Sequence, residues 1–107
     1  MTPEAGDIAW ASVSDARGSR KIRPVVVLNA SDRIDGVAVT TSPIDPSNPQ
    51  NVPLPFHPAG NVSTRLKKQC WAACDWIVTF DHANVIEIRG HVPSQILLEI
   101  RQRALRA

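Results

Sequence analysis

Short apolar runs, separated by polar and glycine- or proline-containing stretches, fill the first 90 residues of the chain, and this pattern is typical of β-strands. Alternating apolar and small residues at 7–13 (DIAWASV) predict a first strand. The run at 24–28 (PVVVL) predicts a second, because β-branched side chains pack well on a pleated surface. Further strands are predicted at 37–41, 69–80 and 85–89.

A long proline-rich segment lies between the predicted strands at 37–41 and 69–80. Six of the nine prolines fall between residues 43 and 58. Because proline cannot donate to a sheet ladder, this segment is expected to be irregular, with at most an edge strand at 52–54. Loops of this length in a compact domain are commonly functional or mobile.

The apolar period changes near the C-terminus, where Pro93 and Ser94 open a predicted helix. Its apolar stripe consists of Ile96, Leu97, Ile100, Ala104 and Leu105. The arginines at 101, 103 and 106 suit the carboxyl end of the helix dipole, so we interpret them as stabilising the helix rather than binding nucleic acid. Short strands followed by one helix predict a mainly β protein with a small α component, a strongly bent sheet or barrel in one domain over 1–107.

Composition excludes some classes of protein. The 43% hydrophobic and 21% charged content is ordinary for a globular protein, and the net charge is only +2. The charge is uneven, with five Lys/Arg against six Asp/Glu in residues 1–60 and seven against four in 61–107. This suits an anionic partner but is too weak for a protein that coats DNA. No membrane helix and no secretory signal are visible, so a cytoplasmic protein is expected.

The cysteines and histidines do not predict a metal site. Cys70 and Cys74 have no second cysteine pair, and the three histidines are scattered. On a strand the two cysteines would share a face but lie roughly 13 Å apart, too far for a disulfide. We expect buried thiols, with no metal and no cofactor.

A basic segment leads into the valine run. The predicted loop at 14–22 and the residue after it carry four basic residues without an intervening acid: Arg17, Arg20, Lys21 and Arg23. Pro24 predicts that the strand begins there or lies on an edge. Arg23 would then present a planar guanidinium, which suits phosphate oxygens, where the loop meets the strand. An ordinary surface arginine is the alternative.

Two other groups could carry chemistry. Thr40, Thr41 and Ser42 place three hydroxyls at a strand end, where they could bond phosphate oxygens, although strand propensity also explains threonine there. Asp75 lies in an apolar stretch, 71–78 (WAACDWIV), where a carboxylate is costly unless it is paired. A structural salt bridge or a general base with a raised pKa would explain it.

An arginine, a threonine and an aspartate from three strand ends form a set that could cleave RNA. Attack by the RNA 2′-hydroxyl on the adjacent phosphate needs a base, a cation for the oxyanion and a proton source. Arg23 would supply the cation and Asp75 the base, and this scheme requires no metal.

The motifs follow one another in a characteristic order: Gly6-Asp7-Ile8-Ala9-Trp10, Gly18-Ser19, Arg23 to Leu28, Val39-Thr40-Thr41-Ser42, Leu66-Lys67-Lys68, Asp75, Thr79-Phe80-Asp81, Ile86 to Gly90 and the final helix. This order resembles the MazF/PemK (Kid) family of toxins from bacterial toxin–antitoxin pairs. The resemblance implies an SH3-like β-barrel of the CcdB/PemK type with a C-terminal helix, usually a homodimer. It also implies metal-independent cleavage of single-stranded RNA, such as mRNA, at short sequences, and inhibition by an antitoxin.

The resemblance also assigns roles to residues. The catalytic arginine corresponds to Arg23, the catalytic threonine to Thr40 (or to Thr41 if the register slips by one), and the PemK-type aspartate to Asp75. The remaining substrate contacts are expected from Arg17, Ser19, Arg20, Lys21, Thr41 and Ser42.

One departure from the family leaves alternatives open. The loop commonly has a glutamate where this chain has Arg20. The missing acid favours a non-catalytic protein-binding toxin like the CcdB gyrase poisons, and a barrel that binds RNA without cutting it is a third possibility. The antitoxin is expected to be acidic and partly disordered, and to bind between the basic loop at 17–23 and the proline-rich segment at 43–58.

Overall fold

A computed structural model describes residues 2–14, 18–41 and 47–104. In these ranges six strands form one antiparallel sheet with the order β4-β5-β3-β2-β1-β6, and a helix follows. The elements are β1 (Asp7–Ser14), β2 (Arg20–Ala30), β3 (Ile34–Thr40), β4 (Asn51–Leu54), β5 (Cys70–Phe80), a 3₁₀ turn (His82–Asn84), β6 (Val85–His91) and α1 (Ser94–Ala104). The mainly β prediction with a terminal helix is confirmed, and the bent sheet is barrel-like without closing.

Strand β2 begins earlier than the sequence predicted. Residues 20–22 were expected in a loop, but they pair with β1, where Ile22 lies opposite Ser12. Arg23 is therefore the fourth residue of a strand and not the junction of a loop with a strand. Pro24 is tolerated inside β2 because the ladder to β3 starts only at Val25, so of the described strands β1 alone pairs with 20–24. The predicted edge position of Pro24 is therefore correct for this part of β2, although the rest of the strand lies inside the sheet.

The middle of the sheet is buried on both faces. Successive residues of β2 alternate between two apolar clusters, with Val26 in one and Val25 and Val27 in the other. Because neighbouring side chains of a strand point to opposite faces, the two clusters lie on opposite sides of the sheet. Helix α1 covers the first cluster through Ile100 and Ala104. Side chains on β2 are thus held by packing on both faces of the sheet.

Strand β5 carries an irregularity that changes its face. Val37 of β3 pairs with Ile77, and the next residue, Ala38, pairs with Ala73. Residues 74–76 therefore form a bulge in which three residues of β5 have no partner on β3. Since bulges re-aim side chains, the alternation of β5 is reset between its two halves.

The predicted burial of the two cysteine thiols is confirmed, and two of the helix arginines contact other parts of the protein. Arg101 donates a 2.7 Å hydrogen bond to the Leu28 carbonyl, and Arg103 donates to the Pro49 carbonyl and pairs with Glu99. Arg106 lies outside the described residues. The two cysteines, Cys70 and Cys74, are free and buried, and burial raises the pKa of both thiols, that of Cys74 to about 11.

Candidate functional site

Arg23 projects from β2 onto the face that carries Val25 and Val27. Its guanidinium carbon lies 4.9 Å from the centroid of the Trp76 ring, a cation–π distance. Its Nε is buried and has no hydrogen-bond partner among the described residues. The guanidinium is therefore held by an aromatic ring and leaves a polar atom unsatisfied.

Thr40, the last residue of β3, lies on the same face as Arg23. The ladder between β2 and β3 pairs Val25 with Ala38, and continuing this register by two positions places Arg23 opposite Thr40. Thr41 follows the strand, and alternation directs its side chain to the other face. The structure thus brings Arg23 and Thr40 together and separates Thr40 from Thr41.

A cleft of about 590 Å³ adjoins these two residues. It is lined by Trp10, Ile22, Arg23, Pro24, Val39, Thr40, Thr41, Arg65, Leu66, Lys67, Lys68, Cys70 and Arg89. Five of these residues are cationic and none is an acid, although Arg89 also pairs with Glu87 at 2.8 Å. A site with this charge attracts anions and disfavours acidic groups.

The basic side of the cleft is held in place by close backbone packing. Thr64 is buried, and its hydroxyl donates a 2.7 Å hydrogen bond to the Pro55 carbonyl. The His91 amide donates to the Ser63 carbonyl at 2.9 Å, and a Cβ added at Gly90 would overlap the backbone of Thr64. The segment that presents Arg65 and the two lysines is therefore fixed against β6.

The structure corrects the premise on which Asp75 was selected. The sequence suggested a carboxylate embedded among apolar residues, but Asp75 is exposed on the bulge of β5. The bulge turns it outward. It is the neighbour of Trp76 in the chain, yet it does not line the cleft with Arg23 and Thr40.

The predicted substrate-binding residues separate into groups. Thr41 lines the cleft, whereas the exposed Ser19 and Lys21 do not. The Arg20 guanidinium donates a 3.0 Å hydrogen bond to the Ser12 carbonyl and lines a different cavity, of about 490 Å³, with Arg33. The structure thus does not bring Arg20 to Arg23. The other two, Arg17 and Ser42, lie outside the described residues.

In the described ranges no group of three or more His, Cys, Asp or Glu side chains is arranged to hold a metal ion. Within the same ranges, no helix is long and apolar enough to cross a membrane.

Comparison with known families decides the assignment. The sequence profile of the PemK-like, MazF-like toxins of type II toxin–antitoxin systems matches residues 4–107. The chain belongs to this toxin family. None of the curated protein sequences compared with the chain matches it.

Solved structures share the fold of this PemK/MazF-like toxin. A chain in the MazE–MazF crystal structure (form II) from Deinococcus radiodurans matches with a TM-score of 0.73 and 22% identity, over 97% of this chain and 93% of that one. The Mycobacterium tuberculosis toxin MazF-mt6 matches with a TM-score of 0.69 and 17% identity, over 94% and 93%. An endoribonuclease in complex with its cognate antitoxin from a mycobacterial species gives 0.70 and 16%, over 98% and 93%. At these identities the likeness establishes the fold.

The sequence assigned no site role to several residues that line the toxin's cleft or support Arg23: Arg65, Lys67, Lys68, Arg89 and Trp76. The Lys67-Lys68 pair was visible as a motif, and a basic pair just before an apolar strand is a usable signal. Arg89 gave no signal, because its place in the cleft depends on the packing of β6 against residues 63–64.

Proposed function

We propose that this toxin is an endoribonuclease that cleaves single-stranded RNA at specific short sequences through attack of the 2′-hydroxyl on the adjacent phosphate. The observation that carries the proposal is a cleft lined by both Arg23 and Thr40 that has five cations and no acid. An RNA backbone is the anion that suits an extended cationic groove. The mycobacterial endoribonuclease of the same fold supports this reading.

The proposed chemistry uses a guanidinium, a hydroxyl and a carboxylate, from β2, β3 and β5. Arg23 stabilises the charge that develops on the phosphorane oxygens, and Thr40 donates a hydrogen bond to the same phosphate. Asp75, exposed beside Trp76, is the proposed base that takes the proton of the 2′-hydroxyl as the bond from O2′ to phosphorus forms. The bond from phosphorus to the 5′-oxygen breaks, and the leaving 5′-oxygen takes a proton from solvent. These groups are protein side chains, so the reaction as proposed proceeds without a metal ion.

The test is cleavage of a long single-stranded RNA by the pure protein in EDTA, with the fragment ends sequenced. We expect 2′,3′-cyclic phosphate ends at one short recurring sequence. Intact RNA that binds the protein would indicate an RNA-binding barrel, and intact RNA without binding would favour a protein-binding toxin of the CcdB kind. Cleavage that appears only when Mg²⁺ is added would contradict the metal-free scheme.

Thr40→Val should reduce the cleavage rate by roughly 10- to 150-fold, since a hydrogen bond to a charged group contributes about 1.5–3 kcal/mol. Thr41→Val tests the other register: Thr41 also lines the cleft, but its side chain is directed to the other face of the sheet from Thr40, so we expect a smaller loss. Thr79→Val, outside the cleft, is the control and should retain the activity. Single-turnover rates and melting temperatures of these variants decide the question. The reverse ranking would move the catalytic threonine to Thr41.

Asp75→Asn should slow cleavage by about 100-fold or more, in the range of general base catalysis, with RNA affinity nearly unchanged. Because Asp75 is exposed, the substitution should change the free energy of unfolding by no more than about 0.5 kcal/mol. Asp32→Asn, at an exposed turn, is the control. Full activity of Asp75→Asn would remove Asp75 from the mechanism.

The antitoxin is proposed to be acidic and to cover the cleft, and the toxin to be a homodimer in the cell cytoplasm. Arg65, Lys67 and Lys68 then form the surface that steers the inhibitor, so its association rate should fall as salt rises. Stopped-flow binding to the protein encoded beside the toxin measures this. Lys67→Ser with Lys68→Ser should weaken the salt dependence, and Arg101→Ser on α1 should not.

Sedimentation of the free toxin tests the proposed homodimer, and a species of 11.7 kDa alone would contradict it.

A further inference from the structure

Arg23 is oriented by an aromatic face rather than by a carboxylate. The 4.9 Å between its guanidinium carbon and the Trp76 ring centroid is within the range of cation–π attraction. The ion pairs between described residues are made by other arginines, Arg33, Arg89 and Arg103. A carboxylate would compete with a phosphate for the guanidinium, whereas a ring holds the cation and leaves its charge available.

The unsatisfied Nε of Arg23 indicates that the arginine is kept for a purpose other than stability. A buried donor without a partner destabilises the folded state, and an apolar side chain of similar length would avoid this. Residues that weaken a fold in this way are found where activity depends on them. The ring of Trp76 offsets part of the loss and restricts the plane of the guanidinium.

The bulge in β5 is what brings Trp76 to this face. If the alternation of β5 continued unbroken from Ala73, Trp76 would lie on the opposite face of the sheet. The three residues at 74–76, which have no partner on β3, reset the alternation before Val78. Trp76 then shares the face of Val78 and meets Arg23 from a strand that is not adjacent to β2. The local distortion of the sheet and the position of the cation are parts of one arrangement.

We propose that Trp76 is a positioning residue: its ring fixes the orientation of the Arg23 guanidinium, so that the cation meets a phosphodiester oxygen in a single geometry. This proposal rests on the proposed function, because the anion is taken to be the scissile phosphate. Trp76 acts through Arg23 and does not itself contact the reacting atoms.

The first test is the Nε–H signal of Arg23 in ¹H–¹⁵N spectra of the full chain, assigned by its absence from Arg23→Lys. A buried Nε proton on a guanidinium held against an indole ring should resonate upfield and exchange slowly with water. Trp76→Phe should keep most of the shift, and Trp76→Leu should abolish it and speed exchange. An unchanged signal in Trp76→Leu would overturn the proposal without reference to activity.

The second test is the single-turnover cleavage rate. Trp76→Leu should cleave RNA about 100-fold more slowly at unchanged RNA affinity, as expected for a misplaced catalytic group, and Trp76→Phe should recover most of the rate. In the Arg23→Lys background, Trp76→Leu should cause no further loss. Ile77→Ala changes the next residue, which is 49% exposed, and serves as the control for disturbance of the bulge. A Trp76→Leu protein as fast as the wild type would refute the positioning role.

Failure of the proposed function is separable from failure of this inference. If the wild-type protein cleaves no RNA, the endoribonuclease proposal is wrong, and inorganic phosphate then serves as the probe. A shift of the Arg23 signal on phosphate addition that weakens at least threefold in Trp76→Leu would support positioning of the cation for an anion. Equal responses of the two proteins would overturn it.

Discussion

Arg23→Met should lower the rate of RNA cleavage by about 100- to 1000-fold, the loss of roughly 2.7–4 kcal/mol that accompanies removal of one oxyanion-stabilising group. Arg23→Lys should also be poor, because an ammonium lacks the planar fork of donors. The fold should remain intact. Methionine removes the buried Nε that has no partner, so the melting temperature should stay the same or rise.

The control for this experiment is Arg101→Met, which removes the same charge from α1, outside the cleft. It should retain cleavage and lose a little stability, since the Arg101 guanidinium bonds the Leu28 carbonyl. Rates are measured under single-turnover conditions and stability by thermal unfolding. Wild-type turnover in Arg23→Met would remove Arg23 from the site, and a large fall in its melting temperature would show that the arginine is structural.

Gly90→Ala should destabilise the protein severely, by roughly 2–6 kcal/mol, because two penalties add. The backbone of Gly90 has φ of +82°, which strains any residue with a side chain, and the new Cβ would overlap the Thr64 backbone. Relieving this overlap would push residues 63–64 away from β6 and displace the basic side of the cleft. RNA affinity should therefore fall together with stability.

Gly18→Ala separates the two penalties. Gly18 has the same φ of +82°, but a Cβ there meets nothing within 4 Å. This variant should lose only the conformational part, about 1–3 kcal/mol, and urea unfolding of the two variants compares them directly. Equal losses in Gly18→Ala and Gly90→Ala would show that the Thr64 backbone yields easily and does not clamp the cleft.

The fold was predictable because each strand is short, β-branched and bounded by turn residues. The first residue of β2 could not be predicted, because Arg20, Lys21 and Ile22 look like loop residues. They form a strand only because β1 is long enough to pair with them. The bulge of β5 was also invisible, because the offset between its halves is set by pairing with a strand about 40 residues away. Tertiary pairing overrides local composition in both places.

The candidate site was predictable only in part, because tertiary pairing places some of its residues. Thr40 follows from a strand end that can be seen in the sequence and Arg23 from the basic segment before the valine run, and the register of two neighbouring strands brings them together. Asp75 looked buried because its neighbours are apolar, yet a bulge turns it outward. The other four cations of the cleft come from segments before β5 and within β6, whose approach depends on glycine packing that no local pattern encodes.

The one-sided pairing of the first residues of β2 has a consequence for solubility. An exposed strand margin is a template on which other molecules can add strands and aggregate. Of the described strands only β1 pairs with 20–24, and Ile22 in this stretch is 58% exposed. Arg20 and Lys21, with Pro24, are the kinds of residue that prevent such addition. The basic charge at this margin therefore helps keep the toxin monodisperse, and leucine at position 20 or 21 would favour fibrils or precipitation where serine would not.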